Sequence, residues 1–245
     1  MKLVSLTICA FLSLSCADFD KNVDDVIKVA QKNLPPTQRE SVMAAKQALE
    51  QGVMTGTNML QKPGGFFQSS YKIPIPSELQ STTKLARQVG LGSYIDDFER
   101  SLNRAAEQAV SAATPIFNDA IKQLSFQDIV DILQGADNAA TNYFRRTSES
   151  KLEEAFMPII SEATKKNDVA KIYSQIVRSI RPAALAAGVQ IPDINLNDYV
   201  TSQAIDALFS EIAVQEKKIR ENPQEQTSQL LKKVFSYYED QSPQT

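Results

Sequence analysis

An all-α bundle of about eight or nine helices is what this sequence predicts, on three observations. Apolar residues recur at steps of three and four through most of the chain, the spacing that gathers them on one face of a helix. Eight glycines among 245 residues is few for a turn-rich sheet protein. No stretch alternates apolar and polar residues as a half-buried strand does. At 42% hydrophobic and 22% charged, the chain can bury one sizeable core or two small ones.

Residue types that are missing narrow the chemistry. The chain has no histidine and no tryptophan, and its two cysteines are Cys9 and Cys16. Histidine triads, Cys–His nucleophiles and zinc or copper sites with Cys/His ligands are therefore excluded. A metal would have to be a hard ion held by carboxylates and carbonyls, and no cofactor is expected. The net charge of −3 supplies no global basic field, so nucleic acid is not an expected partner.

The first residues read as a targeting segment. Met1-Lys2 is a short positive start, and 3–15 is an apolar run. The run is shorter than the roughly 20 residues that span a bilayer, so a secretory signal is expected over 1–16. Leu12-Ser13-Leu14-Ser15-Cys16 resembles a bacterial lipobox with Cys16 as the lipidated residue, although Ser13 stands where leucine is usual. Ser15-Cys16-Ala17 also fits the small-x-small rule, which would release a soluble periplasmic protein starting at Asp18. A retained anchor is the third reading. A diacylated Cys16 would hold the protein on a membrane surface, facing the periplasm, without a spanning helix. Every reading leaves the mature body without a disulfide.

The remaining elements follow in order. Residues 17–36 read as a tether with a short helix over 20–34, stopped by Pro35-Pro36; 37–238 reads as a single helical domain, and 239–245 as a polar tail. Thr37-Gln38-Arg39-Glu40 has the capping-box pattern and opens a helix to about Gln61. Pro63-Gly64-Gly65 breaks it. Phe66-Phe67 and Lys72-Ile73-Pro74-Ile75-Pro76 then form an extended loop, read either as pinned by two buried aromatics or as a lid or membrane-dipping tip. Ser77 is expected to cap a helix to Val89, with Gly90 and Gly92 at C-cap positions. Ile95, Phe98, Leu102, Ala105, Ala109, Ala113, Ile116, Ala120 and Leu124 form one stripe, predicting a single long helix bent at Pro115. Ser125-Phe126-Gln127-Asp128 opens a short helix that Gly135 ends. Asp137 or Asn138 caps the next, which carries Tyr143 and Phe144. Ser150-Lys151-Leu152-Glu153 reads as a fresh capping box, opening a helix bent near Pro158. Asp168 caps a helix stopped by Pro182, and 189–196 is a loop. Asp198 caps a helix to about Glu221, and a last amphipathic helix spans about 227–238.

Three predicted helices place polar groups beside an apolar face. These are Asn103 with Glu107, Thr141 with Arg145, and Gln215 with Glu216 and Arg220. Burying such charges is costly unless they pair. The bland reading is a network fixing helix register, with Glu107 latched to Arg145 or Arg220. The sharper one is a polar-lined pocket for a small anionic or amphipathic ligand. A catalytic acid–base role for Glu107 or Glu216 is the third. Lys217-Lys218, Arg220 and Lys232-Lys233 form a C-terminal basic cluster, read as solvated helix faces or as a contact for anionic headgroups.

A run of motifs carries a resemblance. Lys62-Pro63-Gly64-Gly65-Phe66, Ile73-Pro74-Ile75-Pro76, Asn103-Arg104-Ala105-Ala106-Glu107, Ile132-Leu133-Gln134-Gly135 and Ala139-Ala140-Thr141-Asn142-Tyr143-Phe144-Arg145 occur in this order. Asp198-Tyr199-Val200-Thr201, then 216–223 (Glu-Lys-Lys-Ile-Arg-Glu-Asn-Pro) and Leu230-Leu231-Lys232-Lys233-Val234-Phe235 follow. Over roughly residues 45–236 the chain resembles the bacterial domain-of-unknown-function family 4197, typically signal-bearing envelope proteins. The resemblance implies one helical envelope domain and no particular activity. Gln226 departs from the arginine expected before Thr227. The expectation is a non-enzymatic, membrane-tethered binding or structural module whose partner is a lipid or an envelope protein. A periplasmic carrier of an amphipathic ligand and a carboxylate-based hydrolase are the alternatives.

Overall fold

The structure, a computed structural model, describes residues 35–166, 169–222 and 228–239. Contacts divide the chain into two units, Met1–Thr37 and Gln38–Thr245, and the account below concerns the second. The expected signal segment, Cys16 and the 20–34 helix lie outside the described residues, as do Asp168 and Gln226.

The described residues are helical without strands, as periodicity predicts. In order the helices are α1 (Gln38–Leu60), α2 (Gln80–Gln88), α3 (Gly92–Val110), α4 (Ala113–Gln123), α5 (Phe126–Gln134), α6 (Ala139–Lys166), α7 (Val169–Ala187), α8 (Leu196–Glu221) and α9 (Gln229–Glu239). A single 3-10 turn, Ser77–Leu79, precedes α2. Helix α8 packs against α6, α1 and α3, and α6 packs against α3 and α4. The centre is aromatic. Phe117 of α4 meets Phe144 of α6 edge-on at 5.1 Å and Phe209 of α8 at 6.0 Å, separations at which such pairs attract beyond their buried area. Among the described residues no helix is long and apolar enough to cross a membrane.

Several boundaries differ from expectation, each for a local reason. The long stripe over 95–124 is two helices, broken at Ser111–Ala112 rather than bent. Pro115 lacks an amide proton and its ring crowds the carbonyl four residues back, so the chain restarts with the proline in the first turn. Gly90 (φ +84°) ends α2, with Leu91 N–H donating to Ala86 O at 2.9 Å, whereas Gly92 opens α3. Ser77 caps nothing; its hydroxyl donates to Glu78. The Ser150-Lys151-Leu152-Glu153 pattern lies inside α6, where Leu152, Phe156 and Ile160 continue the buried stripe begun by Tyr143 and Phe144. Pro158 and Pro182 also lie within helices. Helix α7 runs past Pro182 to Gly188, whose φ of +66° lets Val189 N–H close on Ala184 O at 2.9 Å. At α8 the cap is Asn195, not Asp198: its side chain accepts from the Asn197 and Asp198 amides. Helix α5 opens at Ser125 as predicted, and Ser125 and Asp128 form a capping box there.

Candidate functional site: a loop held by buried carboxylates

The loop between α1 and α2 is where buried polar groups converge. Two glycines shape its start. Gly64 sits at φ +83°, and a Cβ on Gly65 would lie 2.4 Å from Leu60 O, so the chain turns directly against the end of α1. Gly65 N–H donates to Lys62 O at 2.8 Å and Gln68 N–H to Gly64 O at 3.0 Å. Phe66 is fully buried, but Phe67 is only partly buried, so the loop is not pinned by two buried aromatics.

Its other anchors are polar. Asn103 of α3, 0% exposed, pairs with a peptide in both directions: Oδ1 accepts from Ile73 N–H and Nδ2 donates to Ile73 O, each at 2.8 Å. One turn on, Glu107 is 6% exposed, and its Oε1 accepts from Gly64 N–H at 2.9 Å and Phe66 N–H at 3.4 Å. From α8, Glu211 Oε2 accepts from Tyr71 Oη at 2.7 Å and Tyr199 Oη donates to Pro74 O at 2.9 Å. Two helices far apart in sequence thus hold one loop at four places. Helical spacing sets Asn103 and Glu107 beside the apolar face of α3, and the loop covers them there.

Desolvation pushes the Glu107 carboxyl above the ordinary glutamate value, against the loop amides and Arg104, which favour the charge. The folded state therefore holds this proton more tightly than the unfolded chain does. Protonation at Glu107 favours folding, and that contribution is lost as pH rises from the usual glutamate value through the raised one. The Gly64 and Phe66 amides both meet Oε1, which a glutamine side chain reproduces, and the Phe67 amide also faces the carboxylate. Glu107→Gln is expected to fold as the wild type does and to flatten the pH dependence of stability in that window. Urea titrations of both proteins across mildly acidic pH check this; an unchanged slope counts against it.

A third buried carboxylate caps a helix from a distance. Glu216 of α8 accepts from Ala140 N–H and Thr141 N–H, both at 2.9 Å, and from Thr141 Oγ1 at 2.8 Å. These amides belong to the first turn of α6, where a negative charge is favoured. Asn138 stands at the N-cap position, its carbonyl accepting from Asn142 N–H at 2.9 Å. Arg220 completes the group, donating to Glu216 Oε1 at 2.8 Å and to Ile132 O at 2.7 Å. This ties the end of α5, the start of α6 and the end of α8.

The seven polar residues singled out from sequence therefore fall into separate groups. Asn103 and Glu107 hold the loop. Thr141, Glu216 and Arg220 form the cap. Gln215 donates to Glu211 Oε1, beside Tyr71. Arg145 lies at the surface, paired with Glu149 at 2.7 Å and Asp206 at 3.2 Å and stacked over Phe209. The expected latch from Glu107 to Arg145 or Arg220 is replaced by backbone amides, because the loop reaches Glu107 first. Glu211, 1% exposed, was missed, although it stands three residues after Leu208 within the apolar stripe of α8. The C-terminal cations are largely neutralised: Lys217 pairs with Glu221 and Lys233 with Glu40.

Beside the cap lies a narrow apolar crevice, lined by Ala45, Ala48, Leu49, Ile132, Ile219 and Phe235 together with Glu216 and Arg220. Its interior space is about 30 Å³, room for a water or two and far below an ordinary ligand pocket. Among the described residues no three carboxylates gather as a metal site. Both oxygens of Glu211 and Glu216 accept hydrogen bonds from protein groups, side chains at Glu211 and backbone amides with Arg220 at Glu216, an arrangement suited to holding packed elements in place.

The model of the family described as a protein of unknown function, DUF4197, matches residues 35–236. The chain belongs to that family. The match takes in α1 to α8, the glycine turn, the buried carboxylates and α9 as far as Ser236. No curated protein and no solved structure matches the chain.

Proposed function

We propose that this DUF4197 member is a non-enzymatic helical binding module of the bacterial cell envelope, tethered to a membrane through Cys16. Its working surface is the held loop with the adjoining face of α3. The observation that carries this reading is the use of Glu107, Asn103, Glu211 and Tyr199 to fix a single loop. Loops held this firmly on a helical scaffold present side chains at set positions, as binding surfaces do. The lipobox-like sequence ending at Cys16 supports the tether.

The tether is tested in cells. Cys16→Ser is expected to move the protein from the membrane fraction to the soluble periplasmic fraction, and unchanged membrane retention would refute acylation. A carrier of amphipathic molecules is the second reading, and it requires the apolar crevice beside Glu216 and Arg220 to open well beyond its interior space of about 30 Å³. Native mass spectrometry of protein purified from its own membrane separates the two. A stable partner chain without lipid supports the module, and a stoichiometric lipid within the fold supports the carrier.

A further inference from the structure

We infer that the held loop and α3 form a cationic face that docks on the anionic headgroups of a bilayer. This deepens the envelope-module reading and rests on it. The chain carries a net charge of −3, yet Lys62, Lys72, Arg100 and Arg104 collect around this loop. Lys72 and Arg100 flank the Phe67 ring, with Lys72 Nζ at 4.8 Å and Arg100 Cζ at 5.3 Å from its centre, within cation–π range. Arg104 follows one turn along the same exposed side of α3, close enough to Glu107 to act on its charge. Lys62 lies two residues before the Gly64 amide that Glu107 holds.

Glu99 neutralises Lys72 at 2.7 Å, Glu107 lies buried beneath the loop, and Asp97 stands one to two turns back on the exposed side of α3. Arg100 and Arg104 form no ion pair among the described residues, unlike Lys217 and Lys233 at the C-terminus. Because the loop is fixed at four places and the Phe67 ring holds two of the cations, little ordering is left to cost affinity on contact. A partly buried aromatic among cations suits the headgroup layer, and a tethered chain is always within reach of one.

Vesicle co-sedimentation of the full chain tests the assignment, comparing phosphatidylcholine alone with a phosphatidylcholine–phosphatidylglycerol mixture. The N-terminal apolar segment is the same in every variant, so the readout is the preference for anionic over neutral vesicles. Wild type should show that preference and lose it in high salt. Arg100→Gln with Arg104→Gln should lower binding to the anionic vesicles by roughly thirtyfold, the value for two basic side chains near an anionic surface. Lys217→Gln should leave it unchanged. Both arginines are exposed, and circular dichroism confirms that the double variant folds. A wild type without anionic preference, or a double variant that keeps it, overturns the proposal. Binding through these arginines to polyglutamate but not to vesicles would assign the face to an acidic protein and overturn it too. Cys16→Ser reads the tether separately: retention lost in cells with the vesicle preference intact identifies the face as working apart from the anchor. Retention lost in Cys16→Ser with no vesicle preference removes the face and leaves the tether.

Discussion

Glu216→Ala is expected to destabilise the fold by about 3–5 kcal/mol, the range for removing one partner of a buried ion pair. The size follows from what depends on this carboxylate. Its two oxygens accept from Ala140 N–H, Thr141 N–H, Thr141 Oγ1 and the Arg220 guanidinium. Alanine leaves two first-turn amides of α6 uncapped and strands Arg220, whose side chain is only 15% exposed. Glutamine should rescue little, because its amide nitrogen would face donors wherever it is placed. In this it differs from glutamine at Glu107, where one oxygen accepts from both Gly64 and Phe66. Denaturant midpoints measure the loss. A double-mutant cycle with Arg220→Met apportions it: if the arginine is what the charge serves, the double variant is less destabilised than the sum of the singles. Strict additivity would place the effect in the helix cap alone. A loss below about 1 kcal/mol, the size of one ordinary cap, would show that the three-helix tie contributes little.

The helical class and most of the core were legible because they depend on periodicity, which one chain displays. Phe98, Leu102, Ala105 and Ala109 were placed on a stripe by spacing and are buried. Helix ends were less legible wherever a tertiary contact outranks a local signal. Ser150 to Glu153 has a capping pattern, but Leu152 is buried in a continuous α6 and the amides stay within the helix. The start of α6 shows the reverse, since the carboxylate that holds its amides comes from 75 residues further along the chain. The polar residues were findable as residues but not as partners. Spacing on α3 set Asn103 and Glu107 side by side; it carried no information that the peptide around Ile73 would meet them. Their pairing with backbone amides has no side-chain signature, which is why charged side chains were the expected partners. Glu211 was findable as a carboxylate inside an apolar stripe, and Tyr71 as its donor was not.

The glycine turn carries the second large effect. Gly65→Ala would set a Cβ 2.4 Å from Leu60 O and 2.7 Å from Met59 O, the carbonyls that end α1. The obstacle is backbone, so no side chain can move aside, and the cost belongs at or above the upper end for overpacking, about 3 kcal/mol. For a domain of this size that corresponds to a fall in Tm of roughly 6–12 °C. The damage should also be directional. The loop would lift from α1, and the bonds farther along it, Ile73 to Asn103 and Tyr71 to Glu211, would lose their register. Hydrogen exchange should therefore show faster exchange at Gly64, Phe66 and Ile73, whose amides Glu107 and Asn103 now hold, with α6 and its Glu216 cap protected as before. Gly52→Ala is the matched control: its Cβ would meet Ile219 Cδ1 at 3.7 Å, ordinary contact, and alanine favours the helix by up to about 1 kcal/mol. If Gly65→Ala melted like Gly52→Ala, the loop would not be seated against α1, and the fixed spacing of Lys72 and Arg100 around Phe67 would have to come from the side chains of α3 and α8 that hold the loop.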